Sequence, residues 1–328
     1  MPNNNQNMSS AAGGQIPAME HFVSPTDVIE VEPVDKVKIS DKPSNLWRDA
    51  WRDMRRRPMF WIAAVIILVV AVVALFPSMF TGTVDPRYCD LKLSNQPAGG
   101  DSLLGYTKQG CDVYARIIHG TATSVTVGFI VILMTSVMGV IIGAISGFYG
   151  GFVDSMLSRL GDIFFAIPYI LAAIVIMSVF SEHRNVWVIS LAIGAFAWPS
   201  TARIMRAEVL RVKNQDFVTA AEAMGLSRFR TMARHVLPNS IAPVIVVTTL
   251  SLAGAIVAEA TLSFLGVGLP SSQFLSWGNE ISAAQFDLRN NPSTLIWPSL
   301  ALTITVLGFI MMGEVVRDAL DPKARARR

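Results

Sequence analysis

The chain has 328 residues, 52% of them hydrophobic and only 16% charged, with a mean hydropathy of +0.46. Soluble globular proteins carry about a quarter charged residues, so an ordinary cytoplasmic enzyme is excluded. A net charge of +3 gives no reason to expect a nucleic-acid partner, and two cysteines rule out a thiolate metal cluster. At 35.7 kDa there is room for several membrane-spanning helices and short loops, but not for a complete nucleotide-hydrolysing domain as well.

Residues 1–43 are rich in Asn, Gln, Ser, Ala and Gly, then acidic and proline-containing from Glu30 to Asp35. Such a stretch buries too little apolar surface to offset its ordering entropy, and a disordered cytoplasmic leader is expected. From Ser44, an N-cap residue type, apolar residues recur at Leu46, Trp47, Ala50, Trp51 and Met54, with Arg48, Asp49, Arg52 and Asp53 opposite. Over 44–58 this spacing predicts an amphipathic helix in the lipid headgroup layer, ended by Pro58. Docking of that helix on a soluble partner is the alternative.

A bilayer core takes about 20 consecutive apolar residues per helix, because lipid offers the backbone no hydrogen-bond partner. Residues 59–80 meet that test without a charge, and further runs follow at 121–148, 160–180, 186–204, 241–265 and 295–316. The expected fold class is therefore an all-α polytopic membrane protein with six transmembrane helices. The first run lies too far along the chain, and is too long, for a secretory signal. With both termini cytoplasmic, the inner segments from Lys42 onward hold nineteen Lys and Arg residues, including Arg55, Arg56, Arg57 and seven between Arg203 and Arg234. The outer segments hold six: Arg87, Lys92, Lys108, Arg116, Arg184 and Arg289. That bias predicts this orientation and a basic cytoplasmic tail over 317–328.

The extracytoplasmic loop, 81–120, contains both Cys89 and Cys111. An oxidising compartment favours a bridge between them, which in the chain-entropy model would constrain the unfolded loop by roughly 3 kcal/mol; two free thiols are the alternative. The second outer segment, 266–293, carries Pro270, Trp277, Gly278, Asn290, Asn291 and Pro292 and is too apolar near 264–269 and 274–277 for a solvated linker. A short re-entrant or interfacial element is expected there, with a loosely packed loop as the other reading.

The cytoplasmic loop, 214–238, holds a helical run from Asp216 to Met224, broken at Gly225, and a second from Ser227 to Val236, stopped by Pro238. Asp216 and Ser227 are N-cap types, and Gly225 stands where a helix end needs left-handed backbone. Small and apolar side chains (Phe217, Val218, Ala220, Ala221, Ala223, Met224, Leu226, Phe229) lie amid Arg228, Arg230 and Arg234. The pattern suits a docking element, or a helix pair packed on its own bundle.

From Phe217-Val-Thr-Ala-Ala-Glu-Ala-Met-Gly225, then nine residues, then His235-Val-Leu-Pro238, this loop resembles the EAA loop of ABC importer permeases. Thr219, Ala220 and Ala221 fall on the Glu-Ala-Ala triplet, Gly225 on its glycine, His235 on its isoleucine, and Leu237 and Pro238 on its ending. Thr219 lacks the family's carboxylate; Glu222 offers one from the next turn. Further strings agree in order: Leu104-Gly105, Asp112-Val-Tyr-Ala-Arg116, Gly147-Phe-Tyr-Gly-Gly151 with Asp154, Ala258-Glu-Ala-Thr-Leu-Ser-Phe-Leu-Gly266, Ser276-Trp-Gly278 and Arg317-Asp-Ala-Leu-Asp-Pro322. Together they resemble the C-type dipeptide and oligopeptide permeases from about Leu46 to Pro322. Cys111 departs from the family, which usually has an arginine or similar residue there, and this supports a bridge to Cys89.

The resemblance implies the type I ABC importer permease fold and half of a transmembrane pathway. It also implies a homologous second permease, two cytosolic ATPases that bind ATP and Mg, and an extracytoplasmic peptide-binding protein as partners. This chain has no G-x-x-x-x-G-K-[ST] loop, hence no phosphate cradle and no cofactor of its own. The coupling residues it implies are Asp216, Phe217, Thr219, Ala220, Ala221, Glu222, Ala223, Met224, Gly225, Leu226, His235, Leu237 and Pro238. Among the intramembrane carboxylates Asp162, Glu259 and Glu314, Glu259 is either a gate or a residue hydrogen-bonded between helices. Hydroxyls at Ser200, Thr201, Thr248, Thr249, Ser251, Thr303 and Thr305 could line a polar route or bond their own helices. A permease of the same type for nickel or another small solute is the alternative function. Its support is weak, since His21, His119, His183 and His235 are too scattered for one metal site. No Ser/Lys, Ser/His or His-Glu-x-x-His pairing supports a catalytic centre.

Overall fold

The computed structural model describes residues 46–100 and 102–320. The expected leader over 1–43, the Ser44 cap and the tail beyond 320 lie outside the described residues. Among the described residues the ordered structure is helical, with only isolated β-bridges. Helix α1 (Leu46–Met54) precedes α2 (Pro58–Leu75), and a four-residue turn, α3 (Ser78–Thr81), follows. The bundle is then built from α4 (Val113–Tyr149), α5 (Gly151–Ala166), α6 (Tyr169–Val179) and α7 (Val186–Lys213). After the short α8 (Asp216–Ala223), α9 (Arg228–Thr231) leads through a π-helical turn into α10 (Leu237–Phe264). The chain closes with α11 (Trp277–Ala284) and α12 (Ser293–Leu320). Five helical stretches are long and apolar enough to cross a bilayer, and six if the bent pair α5/α6 forms one span.

Three expectations about helix limits are corrected. The third span does not run unbroken from 160 to 180: α5 begins at Gly151 and is bent by 78° from α6 at Ile167–Pro168. The ring of Pro168 forces Ile167 into extended backbone (φ −93°, ψ 120°), which ends the helix. Conversely, Pro238 stops nothing, and Arg228–Phe264 is one continuous stretch. Its π turn widens the backbone ladder, the Leu237 N–H reaching five residues back to the Met232 carbonyl, so that the proline enters a new first turn where no N–H is needed. Finally, the second span starts at Val113, inside the expected outer loop, because Asp112 caps it by accepting from the Ala115 N–H at 2.7 Å.

Close approach of α4 and α7 organises the bundle. Their seam is lined by Gly139, Gly143 and Gly147, four residues apart; a Cβ on Gly143 would sit 2.4 Å from the Ala202 carbonyl oxygen. In lipid, where the surroundings are as apolar as the side chains, such small-residue seams let backbones meet and dispersion forces accumulate. Apolar clusters lie along this axis. Val131, Met177, Ile189 and Leu262 fill one; Phe148, Met205, Val209, Val218 and Val236 fill a second, beneath α8. Helix α1 packs on α12 through buried Ala50, with Arg57 ion-paired to Asp53 at 2.9 Å and to Asp318 at 2.5 Å.

Candidate functional site

Helix α7 runs almost directly into α8, with Asn214 and Gln215 between them. Gln215, not Asp216, occupies the N-cap (φ −84°, ψ 147°); Asp216 is the first helical residue, where its charge still complements the helix dipole. The far end closes in a Schellman motif: the Leu226 N–H donates to the Ala221 carbonyl at 3.2 Å and the Gly225 N–H to the Glu222 carbonyl at 2.9 Å. Gly225 holds φ +89°, which explains the glycine.

Of the residues expected to face a partner, the structure divides the set. Val218, in the cluster below, and Ala221 are both buried, so Ala221 packs inward and does not stand with the exposed residues. Phe217, Thr219, Ala220, Glu222, Ala223, Met224 and Gly225 are exposed on the opposite side, while Leu226, His235 and Leu237 are half-buried and Pro238 is exposed. Met224 at 75% and Phe229 at 67% exposure are large apolar side chains left open among the described residues. The elbow therefore presents a small-residue strip flanked by two apolar knobs on a rigid mount.

A second feature lies at the α5/α6 bend. A cavity of about 420 Å³ opens there, walled by Val131 and Thr135 of α4, Phe165 and Ile167, Tyr169, Pro199 to Thr201 of α7, and Ser251, Gly254 and Ala255 of α10. Ser200, Thr201 and Ser251 of the expected hydroxyl set line it. Thr248 instead meets Ser136 at 3.1 Å, and Thr249 and Thr305 donate to their own helices.

At the other end, Cys89 and Cys111 form a disulfide within the loop after α3. The segment after α10 contains a short helix, α11, with Trp277 fully buried and its indole N–H donating to the Ile117 carbonyl at 3.2 Å. Glu259 is fully buried nearby, accepting from Ser124 at 2.9 Å and Ser263 at 2.8 Å; Ser124 in turn accepts from the Trp277 N–H at 3.2 Å. Beside it Arg116 grips both carboxylate oxygens of Glu280 at 2.7 and 2.8 Å. Sequence reasoning missed this ion pair, the Asp154–Arg206 pair described below, and the glycine seam. The four-residue glycine spacing was a usable signal for the seam; nothing local pairs Arg116 with a residue 164 positions on.

Residues 139–326 match the family of binding-protein-dependent transport system inner membrane components, and residues 45–97 match the N-terminal transmembrane domain of oligopeptide transport permease C. The oligopeptide transport system permease protein OppC of Bacillus subtilis is 34% identical over 89% of this chain and 94% of its own length. The dipeptide permease DppC of Alkalihalophilus pseudofirmus is 32% identical, covering 85% and 91%, and the glutathione permease GsiD of Pectobacterium atrosepticum 31%, covering 85% and 92%. In three dimensions the fold is similar to a chain of the inward-facing MetNI methionine ABC transporter, with a TM-score of 0.52 at 17% identity over 62% of this chain and 96% of that one. Two family matches in their proper order, and relatives covered almost whole, make this a multi-pass protein of the cytoplasmic membrane that belongs to the binding-protein-dependent ABC transport permeases, in the oligopeptide-permease C group.

Proposed function

We propose that this chain forms half of the transmembrane pathway of an ATP-driven peptide importer. A homologous second permease completes the pathway, an extracytoplasmic peptide-binding protein delivers substrate, and two cytosolic ATPases bind ATP and Mg and supply the work. Relatives named for oligopeptides, dipeptides and glutathione support a peptide-like substrate. The Lys and Arg bias supports the orientation in which both termini and α8 are cytoplasmic.

The observation that carries the coupling reading is the elbow itself. Phe217, Ala220 and Met224 stand exposed on a helix that Val218 and Ala221 anchor into the bundle. A partner seated on that strip would push a rigid body and not a flexible linker, so its movement reaches α7. Glu259, satisfied by two hydroxyls, acts in this reading as an anchor for α11 and not as a gate.

Gly225→Asp tests the coupling. Among the described residues, its chain neighbours apart, nothing lies within 4 Å of a Cβ at this position; a side chain at φ +89° is strained, but Asp tolerates left-handed backbone better than most residues, so the chain should still fold and insert. The added carboxylate projects into the space the ATPase needs. ATP hydrolysis by the reconstituted complex should persist while peptide uptake is lost; full uptake refutes the assignment. Copurification of ATPase subunits and a second permease with the unmodified chain is the companion measurement.

A further inference from the structure

Gly147 lines the α4–α7 seam and Phe148 packs beneath α8, but the rest of the string Gly147-Phe-Tyr-Gly-Gly151 with Asp154 serves neither. It forms the junction of α4 and α5, and Gly150 and Gly151 both hold left-handed backbone, at φ +67° and +55°. Among the sixteen residues of α5 only Gly161 is buried. This helix is therefore not fixed by an apolar core in the way that α4, α7 and α10 are.

Apart from the Phe164 ring, which packs against Phe196 and Trp198 of α7 at 5.2 and 5.7 Å between ring centres, its contacts to α7 are polar. Arg206 donates through Nε and Nη2 to the two carboxylate oxygens of Asp154 at 2.5 and 2.6 Å. Ser146 of α4 donates to the same carboxylate, and Ser158, one turn along α5, donates at 3.2 Å. Further along, Arg203 donates to Asp162 at 2.7 Å, and its guanidinium lies 4.0 Å from the centre of the Phe165 ring. Lys213, in the last turn of α7, donates to the terminal carbonyls of α4 at Gly147 and Phe148. Between these rungs remains a crevice of about 340 Å³, bordered by Gly143, Ser146, Ser158, Gly161 and Trp198.

The two ends of this connection matter. Helix α7 continues into α8, and α5 ends at Phe165 and Ile167, which wall the cavity at the bend. We propose that Asp154 and Arg206 are a positioning pair that transmits displacement of α8, through α7, to α5 and hence to the cavity at the Ile167–Pro168 bend. This rests on the coupling reading of α8. A two-pronged arginine–carboxylate grip fixes direction as well as distance, which a single apolar contact does not. The glycine junction allows α5 to pivot, and the crevice gives it room.

Both native cysteines are consumed by the disulfide, so introduced cysteines take spin labels cleanly. The complete complex, in lipid nanodiscs, carries labels at Ile304→Cys on α12 as reference and at either Met156→Cys on α5 or Ala207→Cys on α7, all exposed positions. Pulsed electron resonance compares the nucleotide-free state with the state trapped by ATP, Mg and vanadate. With the native pair, both distances to α12 should shift. In Asp154→Asn the α5 shift should be lost while the α7 shift remains, and the charge exchange Asp154→Arg with Arg206→Asp should restore it. Should Asp154→Asn fail to assemble, Arg206→Lys, which keeps the charge and loses the fork, should reduce the α5 shift alone. An α5 shift that survives these substitutions, or stays lost in the charge exchange, overturns the inference while leaving the coupling reading intact. An α7 label that stays still in the unsubstituted complex sinks the coupling reading, and the inference with it.

Discussion

Replacing Gly143 by alanine isolates the energetics of the α4–α7 seam. The new Cβ would lie 2.4 Å from the Ala202 carbonyl oxygen and 2.8 Å from the Met205 Cβ, with the Arg206 backbone nitrogen at 3.1 Å. Carbon contacts are comfortable at about 3.5 Å or more, so the helices must separate by about 1 Å. None of these three neighbours is the flexible end of a side chain, so none can rotate away. Overpacking of this kind destabilises by about 1–3 kcal/mol, against a helix-propensity gain of about 1 kcal/mol for Gly to Ala. Gly254 in α10 supplies the control: among the described residues, its own helix backbone apart, nothing lies within 4 Å of its Cβ position and its backbone is helical, so Gly254→Ala collects the propensity gain alone. The propensity gain is common to both, so the two variants should differ by the strain alone, about 1–3 kcal/mol. Apparent melting of the purified chain in detergent, followed by tryptophan fluorescence at one scan rate, reads the order. Gly254→Ala should melt highest and Gly143→Ala lowest. A Gly143→Ala protein that melts with or above Gly254→Ala refutes the close-approach account of the seam.

Other consequences are as direct. Cys89→Ser removes a bridge between residues 22 positions apart, releasing roughly 3 kcal/mol of constraint on the unfolded loop; limited proteolysis should cut the region near 90–110 in this variant and spare it in the oxidised native chain. Arg116→Ala leaves the Glu280 carboxylate, 7% exposed, without its cation, and should cost about 3–5 kcal/mol. Hydrogen exchange at α11 should accelerate accordingly, and exchange unchanged from the native chain would show that the pair does not hold α11. The charge exchange Arg116→Glu with Glu280→Arg should recover part of that protection.

How much was legible in the sequence depends on how local the deciding physics is. The elbow at Gly225 was readable because a left-handed helix end is written in the glycine and its neighbours, and α8 indeed ends there. The apolar runs were readable because a bilayer demands length and hydrophobicity before it demands a partner. The burial of Ala221 was not legible because the small residues of the loop look alike in one dimension; only packing beneath α8 decides which side turns inward.

The prolines draw the boundary most sharply. Pro168 and Pro238 lack the same N–H and carry the same ring, yet one breaks a span by 78° and the other is absorbed in a continuous stretch from Arg228 to Phe264. At Pro238 the adjoining π turn is held by buried Met232 and Val236, so packing stabilises the widened ladder. At Pro168 the chain borders a cavity, and no packing compensates for the lost bond. Composition and periodicity by themselves determined a polytopic helical protein, its approximate spans, the cysteine-bearing loop and the short bent element before α10. Which faces meet, which carboxylates find cations and which proline bends the chain were decided only by tertiary structure. In lipid the apolar surroundings reward no helix face over another, and selection falls to close approach and polar pairing between residues far apart in the chain.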